Sequence, residues 1–364
     1  MKRRVVVAMS GGVDSSTTAW LLKEKGYEVI GATMCIGMAD NTRGGTARCC
    51  GLADIEDARR VALQLEISFS VFHLREEFEK EVIQYFCKEY VQGRTPNPCI
   101  LCNEKIKFGS FLEKALDLGA DFMATGHYAR LDVDEEIGRY RLKKGVDRRK
   151  DQSYVLFSLT QDQFRHTLFP LGEHRKEEVR KKALQLGLQV HNKPESQEVC
   201  FIQESSYHSF LSERLKECIE PGPIVDRNGK VLGKHKGIPF YTIGQRRGLR
   251  LARGKPLYVI GIDRGDNAII VGGEEEVYSD RCIVDSVNWI IPSKMISSMN
   301  AQVKIRYNHP GSEATLIPKG EDRLEVKFKS PQKAITPGQA AVFYDGETVL
   351  GGGWIREVLN RGDS

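Results

Sequence analysis

The stretch Val5-Val6-Val7-Ala8-Met9-Ser10-Gly11-Gly12-Val13-Asp14-Ser15-Ser16 decides how the rest of the chain is read. Val5 to Met9 is a short, unbroken apolar run, the pattern of a strand buried on both faces of a parallel sheet. A helical pattern, Ser15 to Lys25, follows at once. Between them, two adjacent glycines let backbone N–H groups come close to phosphate oxygens, and the serine hydroxyls add donors. The N-terminus of the next helix favours negative charge. Strand, turn and helix together predict a pyrophosphate cradle built from Ala8 to Ser16. The turn lacks the Gly-Lys-Ser/Thr that serves a terminal phosphate, so γ-phosphoryl transfer is not the expected chemistry. The plainer alternative is an ordinary serine- and glycine-rich β-to-α turn.

Outward from this turn the alternation continues. Strands are expected at Val29 to Met34, Ser68 to His73 and Phe122 to Gly126, and helices at Leu52 to Leu65, Phe78 to Tyr90 and Lys105 to Leu118. This is the signature of a parallel α/β unit running to about residue 205. From Pro221 the texture changes to short runs separated by turn signals, Asn228-Gly229, Arg264 to Asn267 and Asp345-Gly346, which read as β-hairpins. A break near Val277 to Arg281 divides them. The expected architecture is α/β overall: a parallel-sheet nucleotide-binding catalytic domain (1–205), a small central β-rich domain (206–278) and a C-terminal β-barrel-like domain (279–364).

A chain of 364 residues fits two or three domains. Its 40% hydrophobic and 28% charged residues are those of a globular protein, and no apolar run approaches the ~18 residues of a membrane span. Only Met1 to Arg4 precede the first strand, which leaves no room for a leader, so a cytoplasmic location without membrane contact is expected. There the nine cysteines are expected to be reduced thiols, ligands or catalysts rather than a disulfide framework. A net charge of +5 permits a nucleic-acid partner without demanding one.

Several residues then stand out by position. Met34 and Gly126 end strands, where a ligand crevice opens in such sheets. Thr95-Pro96-Asn97-Pro98-Cys99-Ile100-Leu101-Cys102-Asn103 places a C-x-x-C pair before a helix, whose N-terminus is expected to lower a thiol pKa. Ser196-Gln197-Glu198-Val199-Cys200-Phe201 offers another thiol at the end of the α/β half. Arg139 to Lys150 is the densest basic segment, a natural phosphate contact or a solvated hairpin face. Arg306-Tyr307 sets a guanidinium beside an aromatic ring, a pairing suited to phosphate contact and base stacking. Gln245 to Arg250 is a further basic stretch without an assigned role.

The Ser-Gly-Gly-x-Asp-Ser pattern resembles the PP-loop ATP pyrophosphatases, which cleave ATP between the α and β phosphates and adenylate a carbonyl oxygen. Within that superfamily the chain resembles the tRNA-specific 2-thiouridylases over nearly its whole length. The resemblance rests on Ser10 to Ser16, Thr95 to Asn103, Ala124-Thr125-Gly126-His127-Tyr128-Ala129, Lys150-Asp151-Gln152-Ser153-Tyr154 and Ser196 to Phe201. It implies ATP with Mg2+, and tRNA as partner, with the wobble uridine of glutamate, glutamine and lysine tRNAs as target. It implies that Cys200 carries a persulfide and Cys102 helps release its sulfur, supplied by a cysteine desulfurase relay or by sulfide. It implies that Asn97, Pro98 and Cys99 line the flipped base, and that His127, Lys150, Asp151, Gln152, Arg306, Tyr307 and Gln339 contact tRNA. His127 reads equally as a satisfied core histidine.

Cys99 stands where many members carry aspartate. With Cys102 and Cys200 it makes three candidate ligands for a [4Fe-4S] cluster holding sulfide on an open iron, and this reading and the persulfide relay both stay open. A zinc half-site or a thioredoxin-type pair fits less well, for want of a second ligand pair or the rest of a thioredoxin unit. Cys35, Cys49, Cys50, Cys87, Cys218 and Cys282 have no spacing that speaks for chemistry. Two other classes remain: a PP-loop synthetase acting on a small molecule, and a non-catalytic RNA-binding or redox-sensing protein.

Overall fold

The computed structural model describes residues 2–37, 52–194, 199–202, 207–251, 255–291, 297–320 and 322–359. In chain order its strands and main helices are β1 (Arg4–Ala8), α1 (Val13–Glu24), β2 (Glu28–Cys35), α2 (Leu52–Gln64), β3 (Ser68–His73), α3 (Arg75–Phe78), α4 (Gln84–Val91), α5 (Pro98–Leu101), α6 (Leu112–Asp117), β4 (Phe122–Ala124), β5 (Ala129–Asp134), β6 (Arg139–Lys144), α7 (Gln161–Arg165), β7 (Thr167–Leu168), α8 (Lys176–Gln185) and α9 (Tyr207–Arg214). The remainder is β8 (Gly222–Asp226), β9 (Val231–His235), β10 (Tyr258–Asp263), β11 (Ala268–Gly272), β12 (Tyr278–Trp289), β13 (Met299–Lys304), β14 (Ser312–Pro318), β15 (Leu324–Lys333), β16 (Ala340–Asp345) and β17 (Thr348–Leu359). Two π-helical segments, Glu79–Ile83 and Cys102–Phe111, join α3 to α4 and α5 to α6. The chain divides into two compact units, the first made of residues 1–82, 99–201 and 347–349, the second of the rest.

In the first unit a parallel sheet runs in the order β3-β2-β1-β4-β7. Val5, Val6 and Val7 of β1 are wholly buried, as a central strand covered on both faces requires. Helices α1, α2 and α8 contribute Ala19, Leu22, Ala58, Val61, Val179 and Ala183 to the core against it. Helix α1 brings four small hydroxyl residues, Ser15 to Thr18, into the interior. Three of them spend their hydroxyls on carbonyls four residues back: Ser16 on Gly12 (2.9 Å), Thr17 on Val13 (2.9 Å) and Thr18 on Asp14 (2.9 Å). Strand order reverses at β1, between β2 and β4, and ligand crevices in open α/β sheets form at the carboxyl ends of such strands.

The second unit holds two β structures. A four-stranded sheet runs β10-β11-β8-β9, with hairpins at the Asn228-Gly229 and Arg264 to Asn267 turns as the turn residues predict. The other is a closed antiparallel barrel, β12-β15-β14-β13-β16-β17, sealed by β12 pairing with β17. Closure leaves no strand edge in the ring. Its interior is packed by Val284, Val303, Leu316, Val326, Phe343 and Ile355 among others, so it is a filled core and not a channel. Among the described residues no helix is long and apolar enough to cross a membrane.

Candidate nucleotide and thiol site

The Ser-Gly-Gly turn leaves the carboxyl end of β1 at the switch point, and Thr125-Gly126-His127 leaves the neighbouring β4. Two glycines make the close packing around the turn sterically possible. Gly11 has φ +68°, and a β-carbon there would lie 2.3 Å from the Asp54 carbonyl oxygen. At Gly126 a β-carbon would lie 2.9 Å from the Asp14 β-carbon and 3.0 Å from the Ser15 nitrogen, so the glycine allows the strand end to press on the first turn of α1. Gly12, the N-cap, supplies no side-chain acceptor, which leaves that turn's donors without a cap from the residue preceding them. Ser15 Oγ accepts from the Ser10 nitrogen (3.1 Å) and donates to the Gly12 carbonyl (3.2 Å), bracing the loop. Met9 is buried, and Met34 lies half-buried near the end of β2.

Charge is arranged around the loop by Lys176 and Lys193, to which no motif pointed. Lys176, at the start of α8, is buried and places its ammonium 2.7 and 2.6 Å from the two carboxylate oxygens of Asp14. The Tyr128 hydroxyl donates to Asp14 Oδ1 at 2.8 Å. Asp147 accepts from the Lys176 backbone N–H (3.1 Å), fixing the first turn of α8. On the other side, the Lys193 ammonium donates to the Gly11 carbonyl (3.1 Å), Asp54 Oδ1 (2.6 Å) and Asp57 Oδ2 (2.7 Å). These carboxylates hold the Lys193 charge, raising its pKa against the opposing effect of burial. The loop is thus clamped by two lysines from sequence-distant segments.

His127 is buried, with Nδ1 2.7 Å from Thr125 Oγ1 and its ring against Phe108 and Phe169. It is a satisfied core histidine here. Burial, with a smaller push from the Lys107 charge, holds its pKa well below the ordinary value of 6.5. An unfolded imidazole protonates near 6.5 while this one stays neutral, so its contribution to stability is present above that pH and is lost progressively as pH falls below it. Thermal unfolding from pH 7.5 to 5.5 should therefore show a smaller acid loss in His127→Gln than in the parent, by up to about 1.4 kcal/mol per pH unit. Identical slopes would refute the burial argument.

The thiols depart from expectation. Cys102 is buried at the start of the π-helical segment, and desolvation pushes its thiol up despite the nearby Lys107, opposite to the lowering expected from a helix N-terminus. Cys99 lies one residue into α5 and is exposed, yet the protein packed beneath it still raises its pKa. Cys200 is exposed in a turn, and the neighbouring Phe201 ring packs edge-on against Phe78 at 5.7 Å. Ser196, Gln197 and Glu198 of that motif, with Cys49 and Cys50, lie outside the described residues. Among the described residues no group of three or more Cys, His, Asp or Glu is set to hold a metal. Cys99, Cys102 and Cys200 are thus not gathered as a ready coordination set among the described residues.

The KDQ segment is largely occupied by its own fold. Asp151 is buried and accepts from the Gly145 and Ser153 backbones, both 3.1 Å, and from Ser153 Oγ at 3.0 Å. Gln152 Oε1 accepts from the Tyr128 nitrogen at 3.0 Å. Lys150 is half-buried. The basic run before it lies on the β5–β6 hairpin and the following loop, where Arg141 pairs with Asp132 and Asp134, Lys143 with Asp132, and Arg148 with Glu347. Much of its charge is already matched.

Within the second unit, the Thr95 N–H donates to the Pro337 carbonyl (2.9 Å) and Gln339 Nε2 donates to the Thr95 carbonyl (2.8 Å). This joins the loop that leads to Asn97 and Pro98 to the one that carries Gln339. Gly338, at φ +90°, is needed there because a β-carbon would meet Arg94 and Thr95 at 2.9 Å. Arg306 and Gln339 line one cavity of about 290 Å³ with Thr95, Thr242 and Thr336. Arg306 Nη1 donates to the Lys333 carbonyl at 3.1 Å, and Tyr307 is 37% exposed beside it.

This fold, with its glycine turn at the β1–β4 switch point, is of the HUP class: residues 3–204 match the family model described as "tRNA methyl transferase HUP domain". Residues 208–273 match a "tRNA methyl transferase PRC-barrel domain" and 279–355 an "Aminomethyltransferase beta-barrel domain". Proteins named tRNA-specific 2-thiouridylase MnmA are similar throughout. That of Heliobacterium modesticaldum is 52% identical, covering 99% of this chain and 94% of its own, and that of Halothermothrix orenii is 52% identical over 97% and 99%. The chain belongs to the tRNA-specific 2-thiouridylase family.

Proposed function

We propose that this chain is an ATP-dependent tRNA-uridine 2-sulfurtransferase of the cytoplasm. The observation that carries the reading is the Ser10 to Ser16 turn at the switch point, uncapped by a side chain and faced by Gly126, in a chain about half identical to 2-thiouridylases along its length. Ala8 to Ser16, with Met34 and Gly126, would hold ATP, and Mg2+ would accompany its phosphates without an assigned ligand. The uridine O2 attacks the α-phosphorus and pyrophosphate leaves, which turns a poor leaving group into a good one. A persulfide sulfur on Cys200 then adds to C2 and AMP departs. The Cys102 thiolate attacks Cys200 Sγ, releasing the thiocarbonyl and leaving a Cys102–Cys200 disulfide that an external thiol must reduce. A [4Fe-4S] cluster on Cys99, Cys102 and Cys200, with sulfide on an open iron, is the alternative route, and iron content separates the two.

In this reading Asn97, Pro98 and Cys99 face the splayed base, and Arg306, Tyr307 and Gln339 hold RNA. Lys150 and Gln152, both half-buried, are the members of the KDQ segment open enough to join them. The division into 1–205, 206–278 and 279–364 assigns ATP chemistry to the first part and RNA contact to the last. Glutamate, glutamine and lysine tRNAs are the proposed acceptors; a desulfurase relay, which delivers sulfane sulfur, is the donor for the persulfide route, and sulfide the donor for the cluster route. Anaerobically purified protein should carry no stoichiometric iron, and unmodified tRNA should elicit pyrophosphate release and ATP-dependent 2-thiouridine. Iron and labile sulfide lost together with activity in Cys99→Ala would overturn the persulfide route. Pyrophosphate release without tRNA would point to a small-molecule synthetase, and none under any condition to a binding protein.

A further inference from the structure

Residues 245–257 hold five cations and no carboxylate. Arg246, Arg250 and Lys255 line a cavity of about 430 Å³ together with the apolar side chains of Leu249, Pro256 and Leu257. All three cations are exposed, and none makes an ion pair among the described residues. Glu274, itself paired with Lys333, feels Arg246 only through space. The turn leading into the cavity is braced: Gln245 Oε1 accepts from the Thr242 nitrogen (3.1 Å) and its Nε2 donates to the Arg247 carbonyl (3.0 Å). Arg250 is held at φ +55°, a left-handed conformation that a residue with a β-carbon adopts rarely and that tends to persist at binding sites. The contrast is with the β5–β6 hairpin, whose charges are matched by Asp132, Asp134 and Glu347. Unmatched cations around a concavity with an apolar side at Pro256 and Leu257 suit a polymer of phosphates bearing ribose and base: the charges take the phosphodiesters and the apolar side takes the sugar or ring.

We propose that this turn is a separate RNA-backbone site, which grips phosphodiesters of the substrate without reading sequence. The proposal rests on RNA being the substrate. Its test is the full chain with Arg246→Gln, Arg250→Asn and Lys255→Gln combined, asparagine being chosen because it tolerates the left-handed backbone. Unmodified tRNA is titrated across a salt series by filter binding, and thiolation kinetics are measured alongside. The expected result is a KM for tRNA raised about tenfold with kcat unchanged, and a slope of log affinity against log salt shallower by about two. Arg246→Lys with Arg250→Lys should retain most of the affinity. Unchanged affinity and slope in the triple variant, with the parent active, would overturn the site. A parent that neither binds nor thiolates tRNA would instead overturn the reading of the function, and the site with it.

Discussion

Replacing Cys200 with serine is expected to abolish 2-thiouridine formation, by about a thousandfold or more, while ATP affinity stays close to the parent's. The reason is chemical: a hydroxyl cannot carry a persulfide, and a serine cannot be the leaving sulfur in the disulfide step. Cys102→Ser should do the same, because the attacking group must be a thiolate. Cys200 is exposed, and serine is close in size to the cysteine it replaces at buried Cys102, so equilibrium ATP binding separates lost chemistry from lost folding. The raised thiol of Cys102 adds a pH signature. Its thiolate fraction at neutral pH is below that of an ordinary thiol, so single-turnover sulfur release should accelerate as pH rises above 7. Retained thiolation in either serine variant would sink the assignment.

Lys176→Met should raise the KM for ATP by about tenfold or more and destabilise the first unit by about 2 kcal/mol. Asp14 sits in the first turn of α1, and its carboxylate is compensated by the Lys176 ammonium and the Tyr128 hydroxyl. Removing the ammonium leaves a bare negative charge where phosphates are proposed to bind, and like charges at that range repel. The stability cost is below that of a fully buried pair because Asp14 is 31% exposed on its side chain. Adding Asp14→Asn to Lys176→Met should recover part of the lost stability, since no orphaned charge remains. An unchanged KM for ATP in Lys176→Met would show that the pair is structural alone.

The sequence carried the parts of this molecule that are written locally. Val5 to Ser16 announced a central strand, a glycine turn and a helix, and Asn228-Gly229 marked its hairpin, because each depends on residues a few positions apart. Lys176 and Lys193 were invisible for the opposite reason. They reach Asp14, Gly11, Asp54 and Asp57 across more than a hundred residues, and a lysine near a helix start reads as a solvated cation. The same limit applied to Arg141 and Lys143, whose density suggested phosphate contact although Asp132 lies across the hairpin. Closure of the barrel by β12 and β17 likewise has no local signature. The burial of Cys102 depends on the helical register through a π-helical segment, which a 3.6-residue period does not anticipate.

The Lys193 clamp also bears on how sulfur travels. Its ammonium is fastened to the nucleotide turn at Gly11, and Cys200 follows only seven residues later in the chain. Seven residues span at most roughly 25 Å, so the thiol proposed to carry the sulfur stays within that reach of the turn proposed to hold the nucleotide. A short tether of this kind gives an effective concentration in the millimolar range, and delivery becomes an encounter within one molecule. On the proposed chemistry, the reactive sulfur would be kept on hand beside the turn that prepares its acceptor, and an adenylated uridine would be spared a wait in which water could take it.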